Sequence, residues 1–190
     1  MTRYPLSETD FALAAAALGC AVPAVKAVCI VEAPGGGFQD DGQVRILFEG
    51  HVFHRLTGGR FDAAAPDLSN VKPGGYGLES SQHDRLQRAV ALNRDAALRS
   101  ASWGKFQIMG FNFPSCGFGS LQSFINAMHD SESAQLDAFV EFILANPGLA
   151  RAIRAQDWTT FARLYNGPDY AKNQYDVKLA KAFTAAKASA

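Results

Sequence analysis

Most of the chain carries apolar residues at three- and four-residue intervals, the spacing of one helical face. A first helix is predicted from about Glu8 to Leu18, opened by a capping box of Ser7 and Asp10 and closed by Gly19. A second runs from Pro23, a residue favoured in a first turn, to about Ala33, where Pro34-Gly35-Gly36-Gly37 stops it. Between Gln43 and Leu56 the pattern changes, and Val44, Ile46, Leu47, Phe48, Val52 and Phe53 predict a short hairpin or a strand running into a helix. Residues 57–81 have no period and are rich in Gly, Pro, Asn and Ser, which predicts an ordered surface loop long enough to suggest a functional role. Helical spacing returns over 84–101, where Leu86, Ala89, Val90, Ala97 and Leu98 form a stripe. A Gly- and aromatic-rich segment over 102–118 precedes helices at 121–129, 134–145 and 148–155. Asp157 is the predicted N-cap of a helix to Leu164 that Asn166-Gly167-Pro168 ends, and a last helix spans 171–188. No repeat or linker divides the chain. The pattern describes one mainly helical, α+β domain with a small β-hairpin and loop lobe near 38–81.

Composition removes several classes of function. A chain of 190 residues buries a sizeable core without disulfides or metals as staples. With 48% hydrophobic residues and 14 Phe it is too apolar for disorder. Lys+Arg 18 balances Asp+Glu 18, so no global field favours nucleic acid. Cys20, Cys29 and Cys116 have neither disulfide nor zinc spacing and read as reduced, buried thiols. No apolar run reaches the roughly 18 residues of a membrane span. The Ala-rich stretch from Phe11 to Val22 has only Arg3 before it, against Glu8 and Asp10, so no cleaved signal and synthesis in the cytoplasm are expected. The tail alone is basic: Lys172, Lys178, Lys181 and Lys187 face a single Asp176. Those lysines either attract lipopolysaccharide or anionic membrane or form a solvated helix face.

Three segments carry candidate chemistry. The second helix is apolar on nearly every side apart from Lys26 and Glu32, the pattern of a buried helix. Glu32 is then placed in its last turn, where desolvation and the negative end of the helix both raise a carboxyl pKa. A carboxyl kept protonated near neutral pH suits a general acid. The alternative is a Glu32 that is solvated or paired with Arg45 or Arg55 at the helix end. Ser102-Trp103-Gly104-Lys105-Phe106-Gln107-Ile108-Met109-Gly110 brings rings and directional amide and hydroxyl groups around glycines, as a sugar-binding wall or a buried turn would. Tyr165-Asn166-Gly167-Pro168, with Tyr170, Asn173 and Tyr175, is either part of a cleft or a helix stop with aromatic packing.

Taken in order, these segments resemble the lysozyme superfamily, especially goose-type lysozymes and lytic transglycosylases. Nearly the whole chain resembles the N-acetylmuramidase domain family of phage and prophage endolysins. The matching stretches begin at Val31-Glu32-Ala33 with the Gly triplet, at Ile46-Leu47-Phe48-Glu49-Gly50-His51, at Ser100-Ala101-Ser102-Trp103-Gly104 through Asn112, and at Ala162-Arg163-Leu164-Tyr165-Asn166 through Asn173. The resemblance implies a lysozyme-like fold in which the catalytic domain takes up residues 1–190, with no separate wall-binding module. It implies a cofactor-free monomer that cleaves the β-1,4 bond between N-acetylmuramic acid and N-acetylglucosamine in peptidoglycan, after release from the cytoplasm. Glu32 falls on the general acid. Ser102, Gln107, Met109, Tyr165 and Asn166 fall on substrate contacts. Glu49 is the first choice for a second carboxylate, with Asp40 and Asp41 as alternatives. A lytic transglycosylase needs only one acid/base, and a binding module that has lost its chemistry would have no Glu32.

The sequence carries neither a metal site nor a thiol protease centre. His51 and His54, with His83 and His129 elsewhere, have no accompanying zinc motif, so no metal site is expected. A Cys/His peptidase needs a thiol in an electropositive setting, and none of the three cysteines has one.

Overall fold

The computed structural model describes residues 5–33 and 35–189; Arg3 and Pro34, weighed above, lie outside them. Helix α1 (Glu8–Leu18) opens on the expected capping box: Ser7 N–H donates to Asp10 at 2.7 Å and Asp10 N–H to Ser7 Oγ at 3.3 Å. Gly19 closes it at φ 68°, a conformation that glycine takes without a Cβ clash. Helix α2 (Val22–Glu32) follows and buries Ala24, Val25, Ala27, Val28 and Cys29. It is not buried all round as predicted, because Ile30 is 57% exposed and Glu32 only half-buried. Among the described residues, no single helix is long and apolar enough to cross a membrane.

The sheet corrects the expected lobe. Strand β1 (Ile46–Phe48) does fall there, and leads into α3 (Gly50–Thr57). Its partners β2 (Ala101–Trp103) and β3 (Ile108–Met109) come from the Gly- and aromatic-rich segment. The antiparallel order is β1-β2-β3, with Ile46 opposite Trp103 and Ser102 opposite Met109. The long loop before residue 79 is ordered by hydrogen bonds. Arg85 donates to the carbonyls of Tyr76 and Asp67, and Gln82 to those of Tyr76 and Leu78.

The helix expected over 84–101 is two helices, α4 (Gln82–Leu92) and α5 (Arg94–Arg99). Asn93 separates them at φ −158° and caps α5 by accepting from Ala96 N–H. After a 3₁₀ stretch over Gly110–Cys116 come α6 (Leu121–Asp130), α7 (Glu132–Leu144), α8 (Pro147–Ala155) and α9 (Trp158–Asn166). The expected tail helix is also divided. Pro168–Asn173 is 3₁₀, Gln174 turns at φ 53°, and α10 (Tyr175–Ala188) begins after it. Phe106 stacks on Phe139 at 4.3 Å in the core, and α10 packs against both α2 and α9. The ends of α2 and α9, the start of α10 and the β2–β3 turn therefore meet.

Candidate active site

Where these segments meet there is a cavity of about 490 Å³. Glu32 lines it from the end of α2, Asn166 from the end of α9, and Gln107, Ile108 and Met109 from the hairpin. Phe106, Phe142, Tyr165 and Tyr175 supply aromatic walls, and Asn112 a further amide. Rings and amides of this kind suit sugars, whose C–H faces lie on aromatic surface while their hydroxyls take directional hydrogen bonds.

Glu32 has neither of the arginine partners considered for it. Arg45 pairs with Glu79 at 2.7 Å, and Arg55 lies over the Phe111 ring. Instead Asn166 Nδ2 donates to Glu32 Oε1 at 3.0 Å. Burial raises the Glu32 pKa, and the Asn166 hydrogen bond and the charge of Lys178 pull it back in part. The net result is a carboxyl held protonated to higher pH than an exposed one, in contact with a cavity.

The other predicted site residues divide by position. Gln107 and Met109 are on the wall, but the Gln107 side chain is spent on its own turn. At φ 49°, its Nε2 donates to Gly104 O at 2.8 Å, and its Oε1 accepts from Ser102 Oγ at 2.7 Å. Ser102 is buried in the sheet and does not line the cavity; it acts on Gln107. Tyr165 offers its ring, because its hydroxyl donates to Phe106 O at 2.9 Å. Burial holds that phenol far above its ordinary pKa.

The candidates for a second carboxylate, Glu49, Asp40 and Asp41, do not line this cavity. Glu49 caps the β1–α3 corner, and its backbone N–H donates to Ser100 O at 2.9 Å. Its Oε2 approaches His51 Nδ1 to 3.1 Å without hydrogen-bond alignment, so the contact is electrostatic and needs a charged imidazole. Burial first, and then the nearby Glu49 carboxylate, raise the Tyr76 pKa. Asp41 accepts from the Gln43 backbone and side chain, and with Asp40 lines a separate depression beside Arg45 and Glu79. Glu32 is the one carboxylate among the described residues that line its cavity.

Sequence reasoning missed the group that holds both sides of the cavity. The helix placed at 134 begins at Glu132, capped by Ser131, whose Oγ accepts from Ala134 N–H at 3.1 Å. Glu132 is buried; it accepts from Gly37 N–H at 2.7 Å and pairs with Lys105 at 3.1 Å. One turn on, Gln135 accepts from Lys105 N–H at 2.6 Å and donates to Met128 O at 2.8 Å. A Cβ on Gly37 would run into Gln135, and one on Gly104 would stand 2.6 Å from its Cδ. The first turn of α7 thus ties the loop after Glu32 to the turn before Gln107. An apolar-run search passes over Glu132 and Gln135, and the Ser-Glu start at 131–132 was the available signal.

The buried thiols and two of the histidines have structural settings. Burial pushes the thiols of Cys29 and Cys116 up to about 12, away from nucleophilic use. His54 pairs with Asp62 at 2.8 Å and His83 contacts Val44 O at 2.8 Å.

A mainly α, lysozyme-like domain with one desolvated acid in a ring- and amide-lined cavity has the form of a glycan-cleaving hydrolase. Residues 21–187 match the N-acetylmuramidase family, and the chain belongs to that family of peptidoglycan hydrolases. The crystal structure of a Burkholderia AP3 phage endolysin is similar, with a TM-score of 0.92 and 42% sequence identity over 97% of this chain and 73% of that one. Among curated proteins, none matches.

Proposed function

We propose that this chain is an endolysin domain that hydrolyses the β-1,4 bond between N-acetylmuramic acid and N-acetylglucosamine, with Glu32 as general acid. The observation that carries the reading is the Glu32 carboxyl, raised in pKa by burial and held by Asn166 at the cavity wall. In the reaction, protonated Glu32 gives its proton to the glycosidic oxygen as the C1–O bond breaks, and the departing sugar leaves with a neutral hydroxyl. The sugar left behind develops oxocarbenium character, and water adds at C1 and loses a proton to a base. Rings of Tyr165 and Tyr175 and the amides of Asn166 and Asn112 would hold the saccharide. Gln107 and Met109 shape its floor, and Ser102 keeps Gln107 in place.

In this hydrolytic reading Glu49 is the second carboxylate. A second reading is favoured by the lack of another carboxylate on the cavity wall among the described residues. It is a lytic transglycosylase, in which Glu32 takes a proton back from a hydroxyl of the sugar itself and an anhydro-sugar forms. We further assign synthesis in the bacterial cytoplasm and access to the wall after the inner membrane is breached, in line with the phage endolysin neighbour. The basic tail, with Lys172, Lys178, Lys181 and Lys187 all exposed, is proposed to touch lipopolysaccharide or anionic membrane.

Mass spectrometry of digested peptidoglycan tests both readings. Hydrolysis leaves reducing muramic acid ends, whereas the transglycosylase product is lighter by one water. Glu32→Gln should abolish either product, and a folded Glu32→Gln protein with wild-type turnover would overturn the assignment. Glu49→Gln should cause a large loss if hydrolysis is the reaction. Full activity in that variant, with anhydro products, would establish the second reading.

A further inference from the structure

We propose that Lys178, together with Tyr175, forms a subsite at the rim of the Glu32 cavity. Its ligand is the carboxylate that a muramyl residue carries on its O3 lactyl arm, either the free lactyl group or the peptide built on it. The inference rests on the glycan-cleaving reading above and names the substrate group that this rim holds.

The geometry begins with α10, which runs against α2, the helix that ends in Glu32. Tyr175 and Lys178 are three residues apart and share one face of α10. Tyr175 is half-buried and forms part of the cavity wall. Lys178 is exposed, with its Nζ 5.4 Å from the centroid of the Tyr175 ring. That contact holds the ammonium over a ring that lines the cavity. Its positive charge also lowers the Glu32 pKa in part, after the effects of burial and Asn166. Among the described residues, no carboxylate is in ion-pair contact with Lys178.

The substrate supplies the missing partner. An N-acetylglucosamine unit is uncharged. Muramic acid differs from it by the O3 lactyl ether, which ends in a carboxylate or in a peptide that bears several. A cation at the rim therefore distinguishes the two sugars, and so determines which of them takes the position next to Glu32. A single exposed, charge-assisted contact of this kind corresponds to about a fivefold difference in affinity.

The test uses binding, so that it does not depend on turnover. The Glu32→Gln protein and the Glu32→Gln/Lys178→Met protein are titrated calorimetrically at low salt with three probes. These are chitotetraose, the N-acetylglucosaminyl-N-acetylmuramic acid disaccharide, and the same disaccharide bearing its tetrapeptide. The preference for the muramyl probes over chitotetraose should fall about fivefold on Lys178→Met and return with Lys178→Arg. A fall seen with the simple disaccharide assigns the lactyl carboxylate, and one seen only with the tetrapeptide probe assigns the stem. An unchanged preference, or one that Arg does not restore, overturns the proposal while leaving the glycan reading intact. Failure of all three probes to bind the Glu32→Gln protein would overturn both.

Discussion

Replacing Asn166 by Ala removes the Nδ2–H that Glu32 Oε1 accepts at 3.0 Å. That bond favours the ionised carboxyl, so its loss raises the Glu32 pKa further than burial alone already has. A hydrogen bond to a charged group is worth about 1.5–3 kcal/mol, and one pKa unit corresponds to about 1.36 kcal/mol. The full bond is thus worth roughly one to two units. Both residues are half-buried, and water entering the space left by the amide recovers part of that, which leaves an expected rise of roughly half to one unit. The assay is the pH dependence of kcat/KM on peptidoglycan stripped of its outer membrane. With Glu32 as the proposed general acid, activity should fall as pH rises through its pKa, because the acid has then lost the proton it would donate. The alkaline limb should move up in Asn166→Ala, whatever happens to the plateau. Asn166→Asp should move it further, since a second carboxylate beside the first disfavours ionisation. A limb that stays in place, or moves to lower pH, would show that another group controls it and refute the reasoning.

Two further outcomes test the framework of the site. Glu32→Gln should raise the melting temperature at neutral pH: a carboxyl whose folded pKa is raised is no burden while protonated, below its unfolded pKa, and becomes one as pH rises through the folded value. The gain should therefore shrink toward zero on acidification, and thermal melts at several pH values would expose a gain that is constant or reversed. Glu132→Ala strands the Lys105 ammonium and leaves Gly37 N–H without its acceptor, so urea melts should record a loss of about 3–5 kcal/mol, with Glu132→Gln losing less because its amide oxygen still serves Gly37.

The parts of the fold legible in the sequence are those whose signals are local. Ser7 with Asp10, Gly19 and Asp157 announce helix ends through groups within three residues of the end, and α1 and the start of α9 follow accordingly. Glu32 was legible for a related reason: one carboxylate stood out in an apolar helix, although only part of that helix proved buried. Strands β2 and β3, of three and two residues, are too short to show alternation. The break at Asn93 was hidden because apolar spacing continues across it while Asn changes the backbone to extended. Lys178 read as one of four tail lysines because its nearness to Glu32 depends on α10 lying along α2, a contact between residues far apart in the chain.

The choice between the two readings turns on how the polar groups at the cavity are already used. Gln107 has given its amide to Gly104 O and Ser102, and Tyr165 its hydroxyl to Phe106 O, so both contribute surface rather than proton transfer. Glu49 does not line the cavity, and its Oε2 stands 3.1 Å from His51 Nδ1. On the cavity wall stands one acid with raised pKa and an amide that donates to it. A single group of this kind can give a proton to the leaving oxygen and later accept one. Whether it accepts that proton from water or from the sugar depends on which hydroxyl stands over Glu32 after the bond breaks. If Lys178 anchors the muramyl arm at the rim, it limits how that sugar turns in the cavity. The loss of Lys178 should then change the ratio of reducing to anhydro ends along with the rate, and an unchanged ratio across Lys, Met and Arg at position 178 would separate substrate choice from product choice.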